Sequence, residues 1–503
     1  MGSGIALAAL LANISVTLYD NSGESLARAR GYIEHHLTSK GREIRLQDLS
    51  LSEHIESLTG AGVIVEAIPE DLAQKKDLFA RLDKICPPPA ILATNTSTLS
   101  VTALAAATQN PTRVAGMHFF NPAAVLPLVE VVQAAQTCPE VITDLISLAE
   151  ILQKVPVVVR DTPGFIVNRI ARPYYGEALR LLGEGVATFD QIDCLTRIGA
   201  GFHMGPFQLM DLIGIDVNLA VTQSIYEQTF GEPRFRPHPI QLQMVQRGAL
   251  GRKTKRGFYD YQTDAPQTVV PPPAGSRGSG QVYLSMGTWA PGLAELCRRS
   301  GYLLTNGAFT VPENPVIGIV RAGWDEDLEK LVVHMDRELN PSIPILVQCA
   351  DKTLIEIATW MQYPGRLAGF DGLFLHQGQV ATLVPSPVLT PFIQQKAENF
   401  ITSLGRLPIW IQDSPGLVLP RIISMLINEA AFTIGEQVAE AETIEKAVQL
   451  GLNYPKGPLA WAHELGYQRV VAMLDYLRSE FNEDRYRAAP LLRRWARLEW
   501  VSA

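Results

Sequence analysis

The 503-residue sequence predicts an α/β domain joined to an all-α domain, followed by a degenerate repeat of the same pair. Three observations predict this order. Strand-like and helix-like segments alternate over residues 1–160, and the period of the apolar residues becomes helical over 161–262. A linker rich in Pro, Gly and Ser follows at 263–280, and the same succession then recurs over 281–412 and 413–503.

The N-terminal segment has the pattern of the second half of a dinucleotide-binding βαβ unit. Gly2 and Gly4 open an Ala- and Leu-rich helix, and residues 15–20 form a short strand that ends in Asp20. An acid at that place accepts hydrogen bonds from the adenosine ribose of a dinucleotide. The strand and Gly-x-Gly turn that precede such a helix are not in the sequence, so we expect an N-terminally truncated Rossmann domain with weakened cofactor binding. A misassigned start and a loss of cofactor binding are both open explanations.

The next elements continue the α/β alternation. Residues 62–68 and 90–94 are apolar and β-prone, and residues 71–84 between them have helical spacing. Strands that alternate with helices predict a parallel sheet. From residue 161 onward the segments have helical periodicity and are separated by Pro and Gly, which predicts the all-α domain.

The repeat is visible in short aligned segments. AILATNTST at 90–98 matches PILVQCADK at 344–352, and VVRDTPGFIVNRI at 158–170 matches WIQDSPGLVLPRI at 410–422. The offset is 254 residues for the first match and 252 for the second. So small a drift over some seventy positions indicates an internal duplication.

Composition and charge exclude several classes of function. A net charge of −8 gives no basic surface for nucleic acid or an anionic membrane. The five cysteines are scattered without CxxC spacing, which favours reduced thiols in the cytoplasm and predicts no metal site. No apolar run is long enough to span a membrane, and the N-terminus lacks the features of a signal peptide.

Four polar side chains of the first copy suggest alcohol oxidation. His118 and Glu130 lie near the C-terminal ends of neighbouring strand-like segments, where open α/β sheets bind ligands. An imidazole can take a proton from an alcohol as hydride leaves, and a carboxylate on its other nitrogen stabilises the imidazolium. Ser97 and Asn168 could polarise the substrate oxygen. The alternative is a surface His with an unrelated Glu, beside ordinary cap and turn residues.

Five segments of the first copy resemble the signatures of the L-3-hydroxyacyl-CoA dehydrogenase family. They are TNTSTL, AGMHFFNPAAVLPLVEV, DTPGFIVNRI, GAGFHMGPFQLMDLIG and GRKTKRGFYDY, and the likeness covers residues 1 to about 262. The resemblance implies a general base at His118, an orienting partner at Glu130, and Ser97 and Asn168 near the 3-oxygen of the substrate. It also implies NAD contacts from Gly2, Asp20, Glu70, Lys75, Ser97, Asn121 and Lys253, and acyl-CoA contacts from Ser97, Asn168 and Lys40.

The second copy lacks the chemical residues of the first. By the repeat offsets, Asp351 replaces Ser97, Asp371 replaces His118, Pro420 replaces Asn168, and Leu383 or Val384 replaces Glu130. Apolar and turn positions are retained. We therefore interpret the second copy as a structural mimic of a partner subunit, with its helical block (413–503) packed against the first (161–262). A homo-oligomer is also possible.

The expected activity is the NAD-dependent oxidation of a (3S)-3-hydroxyacyl-CoA to the 3-oxoacyl-CoA. The tandem arrangement is similar to the bacterial dehydrogenases of phenylacetate catabolism, which act on 3-hydroxyadipyl-CoA; fatty acid β-oxidation is the other setting that the resemblance implies. Two alternatives stay open. One is a dehydrogenase of a small hydroxy acid, and the other is a non-catalytic binding or scaffold subunit with an incomplete NAD fingerprint.

Overall fold

The computed structural model describes residues 1–38, 46–263, 278–285, 292–307, 312, 314–320 and 328–502. The first α/β region alternates strands and helices as predicted. Its elements are α1 (Gly2–Leu11), β1 (Val16–Tyr19), α2 (Gly23–Thr38), β2 (Leu49–Ser52), β3 (Val63–Glu66), α3 (Leu72–Ile85), β4 (Ile91–Thr94), α4 (Val101–Ala105), β5 (Val114–Phe119), β6 (Leu128–Gln133), α5 (Pro139–Ile151) and β7 (Val155–Arg160).

The first helical region follows directly and confirms the change of period. It comprises α6 (Val167–Gly183), α7 (Phe189–Cys194), a π-helical turn (Leu195–Gly199), α8 (Pro206–Ile213), α9 (Ile215–Gln228) and α10 (Pro239–Gln246).

The second copy repeats both regions. Its α/β part contains β8 (Gln281–Leu284), α11 (Leu293–Arg299), β9 (Leu303–Asn306), β10 (Ile317–Val320), α12 (Leu328–Glu338), β11 (Ile345–Gln348), α13 (Leu354–Ala358), β12 (Leu367–Phe370), β13 (Val380–Pro385), α14 (Pro391–Ser403) and β14 (Leu407–Trp410). Its helical part contains α15 (Leu419–Gly435), α16 (Ala441–Leu452), α17 (Pro458–Leu465), α18 (Tyr467–Phe481) and α19 (Pro490–Ser502).

The chain forms two compact units that do not coincide with the sequence boundaries. Unit 1 consists of residues 1–171, 223–231 and 430–459, and unit 2 of 172–222, 232–429 and 460–503. Unit 1 thus combines the first α/β region with a segment of the second helical region. The predicted packing of 413–503 on 161–262 stays a prediction.

The strands of unit 1 form two sheets. Strands β1 and β2 pair in parallel, and the other sheet has the order β3-β4-β5-β6-β7. All of its pairs are parallel except β5 with β6, which are antiparallel. The predicted parallel sheet is present, and β5 with β6 is its antiparallel exception. The residues 120–127 that join the two strands are too few for the helical crossover that a parallel connection needs.

Unit 2 contains one seven-stranded sheet in the order β14-β13-β12-β11-β10-β8-β9. Its antiparallel pair is β12 with β13, so the second copy repeats the topology of the first. Strand β8 lies between β9 and β10. Among the described residues of the first copy, none forms a strand in the corresponding place, and β1 and β3 belong to different sheets.

The sheet of unit 1 is covered on one side by α5 and α1. The interior positions of β4, β5 and β6 are apolar, and they pack with α5 residues such as Leu145 and with Ile5 of α1. Strands buried on both faces have nearly continuous apolar sequences, and 114–119 and 128–132 are apolar except for His118 and Glu130. A charged or polar residue inside such a strand is therefore an exception that needs a partner. No helix in the described ranges is long and apolar enough to cross a membrane.

Candidate active site

The antiparallel register of β5 and β6 places His118 directly opposite Glu130. The imidazole Nδ1 lies 2.7 Å from Glu130 Oε2, and both side chains are buried. The sequence places both residues near the C-terminal ends of their segments, which is wrong for Glu130. Because β6 runs antiparallel to β5, the start of β6 lies beside the end of β5, and Glu130 is the third residue of β6.

The second oxygen of the Glu130 carboxylate is also bound. Oε1 accepts hydrogen bonds from the backbone N–H groups of Ile166 (3.0 Å) and Val167 (2.9 Å), where the chain enters α6. A carboxylate held in this way is an acceptor only, so the proton of the neutral imidazole stays on His118 Nδ1. The lone pair of the ring is then on Nε2, the nitrogen that points away from Glu130.

His118 Nε2 faces the hydroxyl of Ser97, with Oγ at 3.1 Å. Asn168, the second residue of α6, donates from Nδ2 to the carbonyl oxygen of Ser97 at 3.3 Å. The rings of Phe120 and Phe165 lie 4.6 and 5.8 Å from the imidazole centroid. The structure therefore brings the four predicted residues Ser97, His118, Glu130 and Asn168 together in unit 1.

Two acids fix the loop that carries Ser97. Glu70 accepts hydrogen bonds from the Ser97 N–H at 2.6 Å and from Thr96 Oγ1 at 2.9 Å. Glu66 is buried at the end of β3, where it accepts from Thr94 Oγ1 and from Lys75 Nζ at 2.6 Å. Glu66 is not among the residues predicted from the sequence. The signal was available, since an acid inside the apolar run 63–68 requires a buried partner.

Lys75 is 1% exposed and is surrounded by acceptors of the protein. Its ammonium binds Glu66 and the Ile68 carbonyl, and lies 3.5 Å from Glu70. The implied contact of Lys75 with NAD therefore stays a prediction, and the contacts seen here give the side chain a positioning role. The implied contacts of the other two lysines also stay predictions. Lys253 lies in unit 2, paired with both carboxylate oxygens of Asp216, and Lys40 lies outside the described residues.

A cavity of about 1240 Å³ opens at the N-terminus of α1. Gly2, Asp20 and Asn121 all line it, together with Ser3 and Gly4. The Asp20 carboxylate accepts the N–H of Ser22 and stands at the end of β1. The first N–H groups of a helix have no partner within the helix, so this end favours an anion. A Cβ on Gly2 would be 3.9 Å from its nearest neighbours, Ala67 and Leu18.

The corresponding place in the second copy carries different groups. Burial raises the pKa of Asp371, which replaces His118, to about 6, and its carboxylate accepts the N–H of Leu373. Burial also raises the pKa of Asp351, which replaces Ser97. The register of β12 and β13 places Thr382 opposite Asp371, so the predicted replacement of Glu130 by Leu383 or Val384 is wrong by one or two positions.

Comparison with known proteins gives consistent matches over the whole chain. The family model for "3-hydroxyacyl-CoA dehydrogenase, NAD binding domain" matches residues 1–162, and that for "3-hydroxyacyl-CoA dehydrogenase, C-terminal domain" matches 164–261 and again 416–502. The 3-hydroxyadipyl-CoA dehydrogenase of Escherichia coli K12 is 38% identical over 508 residues, which are 99% of this chain and 96% of the relative. The probable 3-hydroxybutyryl-CoA dehydrogenase of Bacillus subtilis is 40% identical over 52% of this chain and 94% of its own length.

A solved structure matches the whole fold as well. The crystal structure of 3-hydroxybutyryl-CoA dehydrogenase from Escherichia coli K12 has a TM-score of 0.83 and 35% sequence identity, with 100% of this chain and 97% of that chain covered. The (S)-3-hydroxybutyryl-CoA dehydrogenase of Ralstonia eutropha has a TM-score of 0.50 and 35% identity over 52% of this chain and 96% of its own.

Proposed function

Because the chain belongs to the 3-hydroxyacyl-CoA dehydrogenase family, it is an NAD-dependent oxidoreductase, and we propose that its first copy oxidises the 3-hydroxyl of a (3S)-3-hydroxyacyl-CoA. The observation that supports this proposal is a chain of hydrogen bonds from Ser97 through His118 to Glu130. Glu130 in turn accepts hydrogen bonds from the backbone N–H groups of Ile166 and Val167. This chain of hydrogen bonds leaves His118 Nε2 able to accept a proton and stabilises the imidazolium that results.

The roles of the side chains follow from their atoms. His118 Nε2 takes the proton of the 3-hydroxyl, and Glu130 stabilises the imidazolium through Nδ1–H. The Ser97 hydroxyl and the Asn168 amide are hydrogen-bond donors for the 3-oxygen as it becomes a carbonyl. When bound, NAD supplies the acceptor for the hydride that leaves C3. The alcohol thus loses one proton to the protein and one hydride to the cofactor, which balances the oxidation.

The residues around the large cavity fit NAD. The N-terminal turn of α1 offers Gly2 and Ser3 N–H groups to a pyrophosphate, and Asp20 is an acceptor for ribose hydroxyls. The negative charge of Asp20 opposes a 2′-phosphate, which supports NAD over NADP. Asn121 also lines the cavity and is the chain neighbour of Phe120, whose ring packs on the imidazole, so it connects the cavity to His118.

The narrower proposal for the substrate is 3-hydroxyadipyl-CoA. Its support is the Escherichia coli relative of that name, which aligns with both copies of this chain. A place in phenylacetate catabolism follows from that substrate. None of the five cysteines, which all lie among the described residues, forms a disulfide, and this supports a reducing compartment such as the cytoplasm. A contact of Lys40 with the CoA is part of the proposal.

We also propose that the second copy acts as an internal partner, as the second subunit of a dimer would. The support in unit 2 is a set of ion pairs between the two helical regions. Arg421 is fully buried and binds Glu177 and Glu184, and Arg234 pairs with Glu429. The carboxylates of Glu177 and Glu184 raise the pKa of Arg421 above its ordinary value, so this cation stays charged.

The test is a steady-state assay of the purified full chain with NAD, followed by the absorbance of NADH. We expect (3S)-3-hydroxyadipyl-CoA to give a kcat/KM at least about tenfold above that of (3S)-3-hydroxybutyryl-CoA. No NADH from either thioester would contradict the dehydrogenase proposal. A preference for the butyryl substrate would contradict only the narrower one. Free 3-hydroxybutyrate serves as the control, because turnover without CoA would support the small-acid alternative.

A further inference from the structure

One short segment, residues 160–169, connects all the groups of the site. Its backbone N–H groups at 166 and 167 bind Glu130, the Phe165 ring packs near His118, and Asn168 binds the Ser97 carbonyl. The segment has an unfavourable backbone conformation, with φ of +79° at Gly164 and +50° at Phe165. A bulky residue in that region is strained and persists only where surrounding contacts hold it.

The second copy binds this segment at both ends. At one end the Arg160 N–H donates to the Val438 carbonyl at 3.1 Å, and the Arg160 guanidinium donates to the Gln437 carbonyl at 3.4 Å. At the other end Arg169, which is buried, forms an ion pair with Glu436 at 2.8 Å. All these residues belong to unit 1. We call residues 436–438, the turn between α15 and α16, the clamping turn.

A third contact is made by α16, which follows the clamping turn. Gly451 of this helix packs on Leu128 of β6 and on Val167, the first residue of α6. A Cβ at Gly451 would be 2.8 Å from Leu128 Cδ2 and 3.1 Å from Val167 Cγ2. The absence of a side chain at 451 thus allows α16 to approach the strand of Glu130 and the N–H groups that hold its carboxylate.

The same three contacts occur in unit 2 with the copies exchanged, 252 residues apart. The Gln412 N–H donates to the Val186 carbonyl, Arg421 pairs with Glu184, and Gly199 packs on Val380 and Leu419. The turns share the sequence Gly-Glu-x-Val-Ala, at 183–187 and 435–439. The segment held in unit 2 carries no chemistry, since Pro420 stands at the place of Asn168. The chain therefore contains a natural control for the contact.

We propose that the clamping turn of the catalytically silent copy positions the active site of the first copy, and that Glu436 is a positioning residue for the reaction. This inference rests on the proposed function for its kinetic consequence. If Arg169 loses Glu436, the first turn of α6 is held at one end only. Asn168 and the N–H donors of Glu130 can then shift, and small displacements of positioned groups reduce kcat strongly.

The experiment compares Glu436→Gln with its matched control Glu184→Gln in the full chain. Each removes one carboxylate from the same kind of ion pair, and only the first pair adjoins catalytic groups. We expect Glu436→Gln to lower kcat about tenfold with KM for NAD changed less than twofold. Glu184→Gln should leave kcat within twofold, although it removes one of the two carboxylates that bind the fully buried Arg421 and should also lower the melting temperature. Equal kcat values for the two variants would overturn the proposal.

Amide hydrogen exchange tests the same inference without turnover. In Glu436→Gln, peptides covering 160–170 should exchange about tenfold faster, and peptides covering 412–422 should not change; Glu184→Gln should give the converse. The double variant Glu436→Gln with Arg169→Gln should lower kcat no more than the more damaging of the two single variants does, because each single variant already removes the same ion pair. Unchanged exchange at 160–170 would refute the clamping turn even if the chain oxidised no acyl-CoA. Absence of turnover in the unmodified chain would instead count against the proposed function alone.

Discussion

Replacement of Glu130 by Gln is the most informative single change at this site. The amide has nearly the same shape as the carboxylate, so its oxygen can still accept the N–H groups of Ile166 and Val167. The amide nitrogen then takes the place of Oε2 and points at His118 Nδ1. Because that group is a donor, Nδ1 must become the acceptor, and the ring proton moves to Nε2.

The size of the effect can be worked from the geometry. With Nδ1 and Oε2 2.7 Å apart, the centres of the imidazolium and carboxylate charges are separated by roughly 4 Å. At an effective dielectric constant near 20, their attraction is about 4 kcal/mol, which corresponds to a factor of about 10³ in rate. The loss of the reactive tautomer acts in the same direction. We therefore expect kcat to fall about 10³-fold, within the range observed for positioned acid–base groups.

The assay is steady-state NADH formation from a (3S)-3-hydroxyacyl-CoA, with the unfolding transition measured in parallel. KM for NAD should change less than about threefold, because Glu130 does not line the cavity that we assign to the cofactor. The melting curve should stay cooperative, which separates lost chemistry from lost structure. A variant that keeps more than a fifth of the original kcat while folding normally would refute the assignment of His118 as the base.

Three further predictions concern the rest of the chain. In Asp371→Asn, kcat/KM should stay within about threefold. In urea unfolding, the excess in free energy of unfolding of the variant over the unmodified chain should grow by about 2 kcal/mol between pH 4 and pH 7. The sign follows from burial, which raises the pKa from 3.8 to about 6 and makes the native state lose stability as the carboxyl ionises; a pH-independent difference would contradict it. In Asp20→Ala, NADH fluorescence titration should give a Kd raised about 10- to 100-fold, because a charged hydrogen-bond acceptor for the ribose is lost, and an unchanged Kd would remove Asp20 from the cofactor site. Activity per chain should stay constant on dilution from micromolar to nanomolar protein, since the second copy supplies its contacts within the same chain, and a concentration-dependent loss would show that an intermolecular partner is needed.

The sequence predicted the elements well where one local signal was sufficient. The alternation of strands and helices, the helical region after residue 161 and the duplication are all present in the structure. The offset of 252 residues, read from DTPGFIVNRI and its counterpart, also relates the contacts of Arg169 and Arg421. Local patterns have this power because periodicity and turn residues act over a few positions.

The direction of a strand is a different kind of information. Residues 114–119 and 128–133 have the same apolar character whether the strands pair parallel or antiparallel, and only the length of the connection distinguishes the two. That direction decides which residue of β6 faces His118. The sequence therefore identified the pair His118 and Glu130 but misplaced Glu130 in its strand. In the second copy it misaligned the corresponding residue because the repeat offset falls from 253 at Asp371 to 252 at Thr382.

Individual side-chain contacts between distant segments could not be predicted from the sequence. Arg160 and Gln437 are separated by 277 positions, and nothing in either segment alone specifies the other. Glu66 and Lys75 are only nine positions apart, but the pair depends on both side chains being buried. The identical Gly-Glu-x-Val-Ala turns were visible in the sequence, yet their significance depends on what each turn touches in the folded chain.

The distribution of losses in the second copy follows from these contacts. A duplicated domain whose chemical residues have been replaced needs only the residues that fold it and those that the other copy uses. The second copy has lost the counterparts of Ser97, His118 and Asn168, while its turn still presents Glu436 and the Val438 carbonyl to the first copy. The first copy likewise keeps Glu184 for Arg421, where the pair supports only structure. Each copy contacts the other through an equivalent turn. A copy that has lost its catalytic residues can therefore still be under selection to keep the residues of its turn. A change at 436 therefore affects the active site more than a change at 371, although 371 is the place that corresponds to the base.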